Sequence, residues 1–236
     1  MSIFKFKQFD VDQTDCAMKV NTDGVLLGAL AHAHNPQNIV DIGTGTGVIA
    51  LMLAQRFETA KIDAVEIDQD AEKMAGDNFK NSKFNNRLTS HLNSFEDFFE
   101  SHGGTKFDVI VSNPPFFLDS LISANDKKSL ARHTGIAFFE RMLKYTANHL
   151  TNPGTCQLIL PLDTSALIRK LLPTYQLYLQ KIVSIKSFIY SDPHREIIIF
   201  GKEQKDLLQE ELFIYDEPKV YAKQYQYLLK DFLTIF

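Results

Sequence analysis

The sequence predicts an α/β fold, a mostly parallel sheet with helices on both faces, and three observations lead there. Apolar runs of strand length alternate with stretches of helical periodicity along the chain. A glycine-rich turn, Gly43-Thr44-Gly45-Thr46-Gly47, joins the first of these runs to a helical stretch. Near the C-terminal end, the β-rich runs Ile182-Val183-Ser184-Ile185 and Ile197-Ile198-Ile199-Phe200 are separated by a segment containing Asp192-Pro193-His194. That connection is too short for a parallel crossover, so the two runs form an antiparallel hairpin.

In chain order, helices are expected over Asp23 to Ala33, Thr46 to Arg56, Gln69 to Phe84, Ile136 to Leu150 and Thr164 to Leu172. Strands are expected at Asn38 to Ile42, Ile62 to Asp68, ahead of Asn93, at Phe107 to Val111 and at Leu158 to Leu162, before the hairpin. With 236 residues and 44% apolar content the chain can bury one sizeable core, so a single domain is expected over 1–236. Within it, 1–35 is an N-terminal segment with a helix, 36–202 the core sheet and 203–236 a C-terminal extension.

The glycine turn follows Asn38-Ile39-Val40-Asp41-Ile42 and opens the helical run Val48-Ile49-Ala50-Leu51-Met52-Leu53-Ala54. Glycines at alternate positions permit positive φ and close approach of the backbone to a ligand at a helix N-terminus. The spacing differs from the dinucleotide fingerprint G-x-G-x-x-G, and no Gly-Lys-Ser or Gly-Lys-Thr follows, which argues against a nicotinamide and a P-loop nucleotide. The next apolar stretch ends in Glu66, about 20 residues on, where an acid can accept both hydroxyls of a ribose. Turn and acid together indicate an adenosyl cofactor.

The most chemically specific signal is Asn113-Pro114-Pro115-Phe116, directly after the buried-strand run Phe107-Asp108-Val109-Ile110-Val111. Successive prolines hold Asn113 and Pro114 in extended geometry, so that the Asn113 side-chain oxygen and the Pro114 carbonyl become a rigid pair of acceptors. An exocyclic amino group on a base is a poor nucleophile because its lone pair is delocalised into the ring. Accepting from both of its N–H bonds favours localising that pair on nitrogen, and Phe116 would stack on the ring. The chemistry so named is methyl transfer to a planar nitrogen.

On these motifs the chain resembles the class I S-adenosylmethionine-dependent methyltransferases of the Asn-Pro-Pro-aromatic branch, through about residues 20 to 202. Its two ends, Phe4-Lys5-Phe6-Lys7-Gln8-Phe9 with Cys16 to Ala29, and Leu228-Leu229-Lys230-Asp231-Phe232, are similar to the bacterial tRNA(valine) adenine-37 N6-methyltransferases. The resemblance implies a Rossmann-like sheet of seven strands with one antiparallel, S-adenosyl-L-methionine as cofactor and tRNA as partner. It also implies roles. Asp41, Gly43, Gly45 and Gly47 would shape the pocket for the methionine part, Glu66 would hold the ribose and Ile67 would pack on the adenine. Asn93 stands where relatives place an acid that accepts from the adenine amino group; its amide oxygen accepts without charge. Thr22 and Asp23 would close over the amino-acid end, where Asp23 or Asp41 could meet the ammonium; Thr22 could equally be a helix N-cap. Asn113 belongs to both the cofactor set and, with Pro114 and Phe116, the catalytic set.

Net charge is −4 and the pI near 6.0, so RNA binding requires a local basic patch. Lys127, Lys128, Arg132 and His133, in a long loop after Phe116, would rim the site and meet phosphates; Lys5, Lys7, Lys181, Lys186, His194 and Arg195 are further candidates. His133 is not needed as a base, since a methylated amine is acidic enough to lose a proton to water. Cys16 and Cys156 give neither a disulfide framework nor a metal pair, and no metal is expected. No run of 18 apolar residues exists, so a soluble, cytoplasmic protein without membrane contact is expected. Two other substrates suit the same acceptors: ribosomal RNA guanine N2 and a protein glutamine amide. The latter enzymes usually carry an N-terminal helical domain, and only about 35 residues precede the first strand here. A non-catalytic binding module is the remaining reading.

Overall fold

The computed structural model describes residues 2–14, 16, 19–114 and 125–236, with the side chains of 125–134 left aside. A small antiparallel pair, β1 (Ile3–Lys5) and β2 (Asp10–Asp12), precedes α1 (Thr22–Leu30). Then follow β3 (Asn38–Ile42), α2 (Val48–Arg56), β4 (Lys61–Glu66), α3 (Gln69–Asn81), β5 (Leu88–Leu92), α4 (Phe95–Ser101) and β6 (Phe107–Ser112). The second half comprises α5 (Asn125–His149), β7 (Leu150–Leu160), α6 (Leu162–Leu171), β8 (Tyr178–Phe188), β9 (Pro193–Gly201), β10 (Leu208–Glu217), β11 (Val220–Tyr221) and α7 (Lys223–Leu229).

The main sheet has the order β11-β10-β8-β9-β7-β6-β3-β4-β5. Its seven strands from β8 to β5 are the expected set, with β9 antiparallel to both β7 and β8 and the others parallel. Beyond the expectation, β10 pairs in parallel with β8 and β11 returns antiparallel, making nine strands among the described residues. Glu210 and Glu211 hide β10 from a hydropathy reading. They pair across the edge with Lys181 and Lys186 of β8, at 2.8 and 2.7 Å, as exposed edge strands use charge.

The central strands β3 and β6 are buried on both faces, as continuous apolar runs in parallel sheets are. One core layer places α1, α2, α3 and α7 against the sheet through residues such as Leu26, Leu51, Phe79 and Leu229. On the other face α4, α5 and α6 contribute Phe98, Phe139, Met142 and Ile168.

Several boundaries differ from the sequence expectation. The Asn21 side chain accepts from the Gly24 amide at 2.9 Å and caps α1, so Thr22 is its first helical residue and not its cap. Helix α5 begins at Asn125, eleven residues before Ile136: the charged stretch expected as a loop consists largely of helix formers, and the helix runs through Gly135. The fifth expected strand ends at Leu160, because Pro161 caps α6. Short, phenylalanine-rich α4 went unpredicted; its start is fixed by Ser94, which accepts from the Asp97 amide at 3.0 Å.

The turn after β3 has φ of +70° at Gly43, +56° at Gly45 and +81° at Gly47. Gly47 is also closely packed, since a Cβ there would lie 2.5 Å from the Phe79 ring. Gly47→Ala is therefore expected to lower stability by about 1–3 kcal/mol from strain and overpacking together. Urea unfolding checks this; an unchanged midpoint would mean that Phe79 yields without cost.

Candidate active site

Alternation along β3 sends Asp41 into the interior while Ile42 faces the ligand side, and the parallel strands then end together. Gly43 and Gly45 follow β3, Glu66 and Ile67 close β4, Asn93 follows β5 and Asn113 follows β6. These six residues line one cavity of about 910 Å³, in the crevice where open α/β sheets bind ligands. A second cavity, of about 640 Å³, lies beside α2, β10 and α7 and contains none of the expected site residues.

The Glu66 carboxylate is held by three backbone donors. Oε2 accepts from the Gly45 amide at 2.9 Å, and Oε1 from the amides of Ile67 and Asp68 at 2.9 and 3.1 Å. Two carboxylate oxygens offer about four lone-pair sites, so one on Oε2 remains for a ligand hydroxyl. Ile67 is 74% exposed on the cavity wall, an apolar surface suited to a ring face. The Asn93 amide donates to the Glu66 carbonyl at 3.0 Å, which ties the end of β5 to that of β4.

Asn113 Oδ1 is buried and has no hydrogen-bond partner among the described residues. A buried acceptor left unsatisfied costs about 1–3 kcal/mol, a cost relieved when a donor arrives. Pro114 behind it is buried. Pro115 and Phe116 lie outside the described residues, so the expected stacking ring does too. Next to Asn113, the Ser112 hydroxyl donates to the Ile42 carbonyl at 2.7 Å and joins the ends of β6 and β3.

Four expected cofactor residues do not line the cavity. Asp41 is fully buried behind the glycine turn, where its Oδ2 accepts from the Thr44 hydroxyl at 2.7 Å. Gly47 forms the turn's inner side against Phe79. Thr22 is exposed in the first turn of α1, and Asp23 pairs with Arg195 at 2.9 Å. Thus Asp41 shapes the turn, and Asp23 anchors α1 to the start of β9.

Burial pushes the Asp41 carboxyl up to about 7, with the Glu66 charge adding to it and the Thr44 hydroxyl and the Ala50 backbone opposing it. Its native pKa lies above the ordinary value of 3.8, so between the two the folded state keeps a proton that the unfolded chain has released. Stability from this group falls as pH rises from about 4 through about 7 and is then lost. Unfolding free energies at pH 5 and pH 8 should therefore differ more in the wild type than in Asp41→Asn. An equal pH response in both would show that Asp41 is ionised throughout.

Of the expected RNA contacts, Lys127, Lys128, Arg132 and His133 fall in the first turns of α5, where their side chains lie outside the described set. Lys181 and Lys186 are engaged by Glu210 and Glu211, and Lys7 Nζ donates to the Lys230 and Phe236 carbonyls, the latter at 2.7 Å. Lys5 sits on β1, while His194 and Arg195 open β9.

The sequence reading missed several wall residues. Cys16, Met74, Phe95, Phe138 and Arg141 complete the cavity, with Arg141 Nε on Glu96 at 2.8 Å and the Phe95 and Phe138 rings edge to face at 5.4 Å. It also missed Asn78, buried on α3. Its side chain donates to the Asp12 and Thr46 carbonyls and accepts from the Asp12 amide, so β2 is stitched to the glycine turn. No motif marks Asn78; an amide amid the helical pattern of α3 was the one available sign. Both cysteines are free thiols, and burial pushes that of Cys156 up to about 12. Among the described residues no cluster of three metal-ligating side chains occurs, and no helix is long and apolar enough to cross a membrane.

Comparison with known proteins adds independent findings. The family model described as methyltransferase small domain matches residues 16–180. A tRNA1(Val) (adenine(37)-N6)-methyltransferase from Pedobacter heparinus is 42% identical over 233 residues, covering 99% of this chain and 98% of the relative. One of the same description from Haemophilus influenzae is 38% identical over the full length of both. Among solved structures, a protein from Agrobacterium tumefaciens described as a predicted O-methyltransferase superposes with a TM-score of 0.67 at 17% identity, covering 89% of this chain and 96% of the other. TrmN from Thermus thermophilus gives 0.56 at 19% identity, over 76% of this chain and 48% of its own length. At those identities the structural likeness concerns the fold.

Proposed function

The chain belongs to the methyltransferase small domain family and, within it, to the tRNA1(Val) (adenine(37)-N6)-methyltransferases, and from that premise we propose that it methylates the exocyclic N6 of an adenine in tRNA, at position 37 beside the valine anticodon. The observation that carries the chemistry is the buried Asn113 Oδ1, without a partner among the described residues, on the wall of the strand-end cavity.

S-Adenosyl-L-methionine supplies an electrophilic methyl on a sulfonium. The residues present fit it: Glu66 retains an acceptor site for ribose, Ile67 offers an apolar face for adenine, and Asn93 an amide for its polar edge. Gly43 and Gly45 leave backbone bare at the cavity wall, with nothing within 4 Å of where a Cβ would stand. Asn113 Oδ1 accepts from one N–H of the target amino group and the Pro114 carbonyl from the other, which orients the nitrogen and favours its lone pair over ring delocalisation. Phe116 stacks the extruded base, whose unstacking costs about a few kcal/mol and least in a loop. The surplus proton passes to water, so no side-chain base is assigned.

We place this activity in the cytoplasm, where unmodified tRNA is met, and assign the tRNA contacts to the start of α5, with Lys127, Lys128, Arg132 and His133. The single-domain organisation over 1–236, with core sheet 36–202, belongs to the same reading; it is supported by β10, β11 and α7 continuing the main sheet and its core layer. The test is partition of label: purified chain with radiolabelled cofactor is offered tRNA, ribosomal RNA and a protein lysate separately. Label in tRNA is expected. Label confined to ribosomal RNA or to protein would replace this substrate with guanine N2 or a glutamine amide.

A further inference from the structure

The turn between β8 and β9 carries two of the most exposed apolar side chains described, Tyr190 at 75% and Ile189 at 63%. Tyr190 is not loose. Its ring stacks on Phe188 at 5.2 Å and an interplanar angle of 3°, and Phe188 leans on Tyr215 at 5.8 Å. Tyr215 stacks on Tyr221 at 5.1 Å and Tyr221 on Tyr225 at 5.4 Å, where the ladder enters the core with Tyr225 only 6% exposed. The turn itself is closed by the Ser191 amide on the Phe188 carbonyl at 3.0 Å and the Phe188 amide on Ser191 Oγ at 3.1 Å. The Tyr190 ring is thus backed by Phe188 and the aromatic ladder behind it, while its side chain remains 75% exposed.

Strand β8 runs parallel to β7 and β6, since β9 is antiparallel to β7 and to β8. Tyr190 therefore lies on the same edge of the sheet as Asn113. β8 and β6 are three strand spacings apart, roughly 14 Å, and through the ladder Ser112 is level with Ile182, eight residues before Tyr190, so Tyr190 and Asn113 are separated by up to roughly 30 Å, which several nucleotides of an extended loop can span.

We propose that Tyr190, backed by Phe188, is a stacking platform for an unpaired base of the RNA substrate, several nucleotides away from the one whose base enters the cavity. Single-stranded RNA is held by stacking on aromatic faces that every base can satisfy. Nearby Lys186 and Arg195 are already engaged by Glu211 and Asp23, so the platform contributes stacking without adding phosphate contacts. The inference rests on the RNA reading above and adds a second contact to it, in the C-terminal half of the chain.

The test compares wild type, Tyr190→Ala and Tyr190→Phe for affinity to an unmodified tRNA transcript at several salt concentrations. Tyr190→Ala should weaken binding about tenfold with the salt slope unchanged, and Tyr190→Phe should stay within about twofold of wild type. Alanine binding as tightly as wild type would overturn the platform, and so would a slope lower by about one unit, which marks a phosphate contact. A shift in oligomeric state on alanine substitution, with RNA affinity kept, would overturn it in favour of a protein interface. Wild-type chain that neither binds nor methylates RNA would instead remove the reading on which the platform rests.

Discussion

Asn113→Ala should lower the rate of methyl transfer by about 10²–10³-fold while cofactor affinity changes only a few-fold, since removal of one preorganised hydrogen-bonding group at a reacting centre has effects of that size. The side chain stands at the end of a largely buried strand with an acceptor that nothing else in the described structure satisfies. Among the described residues its loss removes no hydrogen bond made by Oδ1, so the variant should fold with close to wild-type stability. That contrast separates a chemical role from a structural one. Single-turnover kinetics with saturating RNA, beside calorimetric titration of the cofactor, reads both quantities. A loss of cofactor affinity as large as the loss of rate would mean that Asn113 belongs to the cofactor site alone.

Glu66→Ala should act in the reverse order. Cofactor affinity is expected to fall by about 10- to 150-fold, because a charged acceptor for a neutral hydroxyl contributes about 1.5–3 kcal/mol. The same substitution releases the amides of Gly45, Ile67 and Asp68, which Glu66 holds at 2.9 to 3.1 Å, so stability should fall as well. Glu66→Gln sharpens the test: its amide NH₂ must face at least one backbone N–H, so it should recover little of either loss. Full cofactor affinity in the alanine variant would assign the ribose to another group.

What was legible in the sequence is what local backbone chemistry dictates. Glycine at 43, 45 and 47 signals positive φ, and all three have it. Mostly apolar runs marked β3 and β6 as strands, and the short connection after Ile185 gave the reversed β9. Six of ten expected cofactor residues reach one cavity because strand ends in a parallel sheet converge whatever their side chains. Contacts between distant segments were illegible. Asp23 was expected at the cofactor, yet Arg195, 172 residues away in sequence, claims it. Asp41 was the other acid offered for a ligand ammonium, and the alternation of β3 turns it inward to Thr44. Lys181 and Lys186 read as free cations because β10, which supplies their glutamates, has too mixed a pattern to announce itself. The start of α5 was expected at Ile136, but the helix begins at Asn125 and tolerates Gly135 within it.

The central claim is that the acceptors at Asn113 and Pro114 orient an exocyclic amino nitrogen of adenine. Unmodified tRNA1(Val) transcript, methylated by the purified chain and digested to nucleosides, tests it most directly by mass spectrometry. The account predicts N6-methyladenosine from position 37 and its disappearance with Asn113→Ala. Methyl on a ring nitrogen of adenine, or on guanine N2, would contradict it.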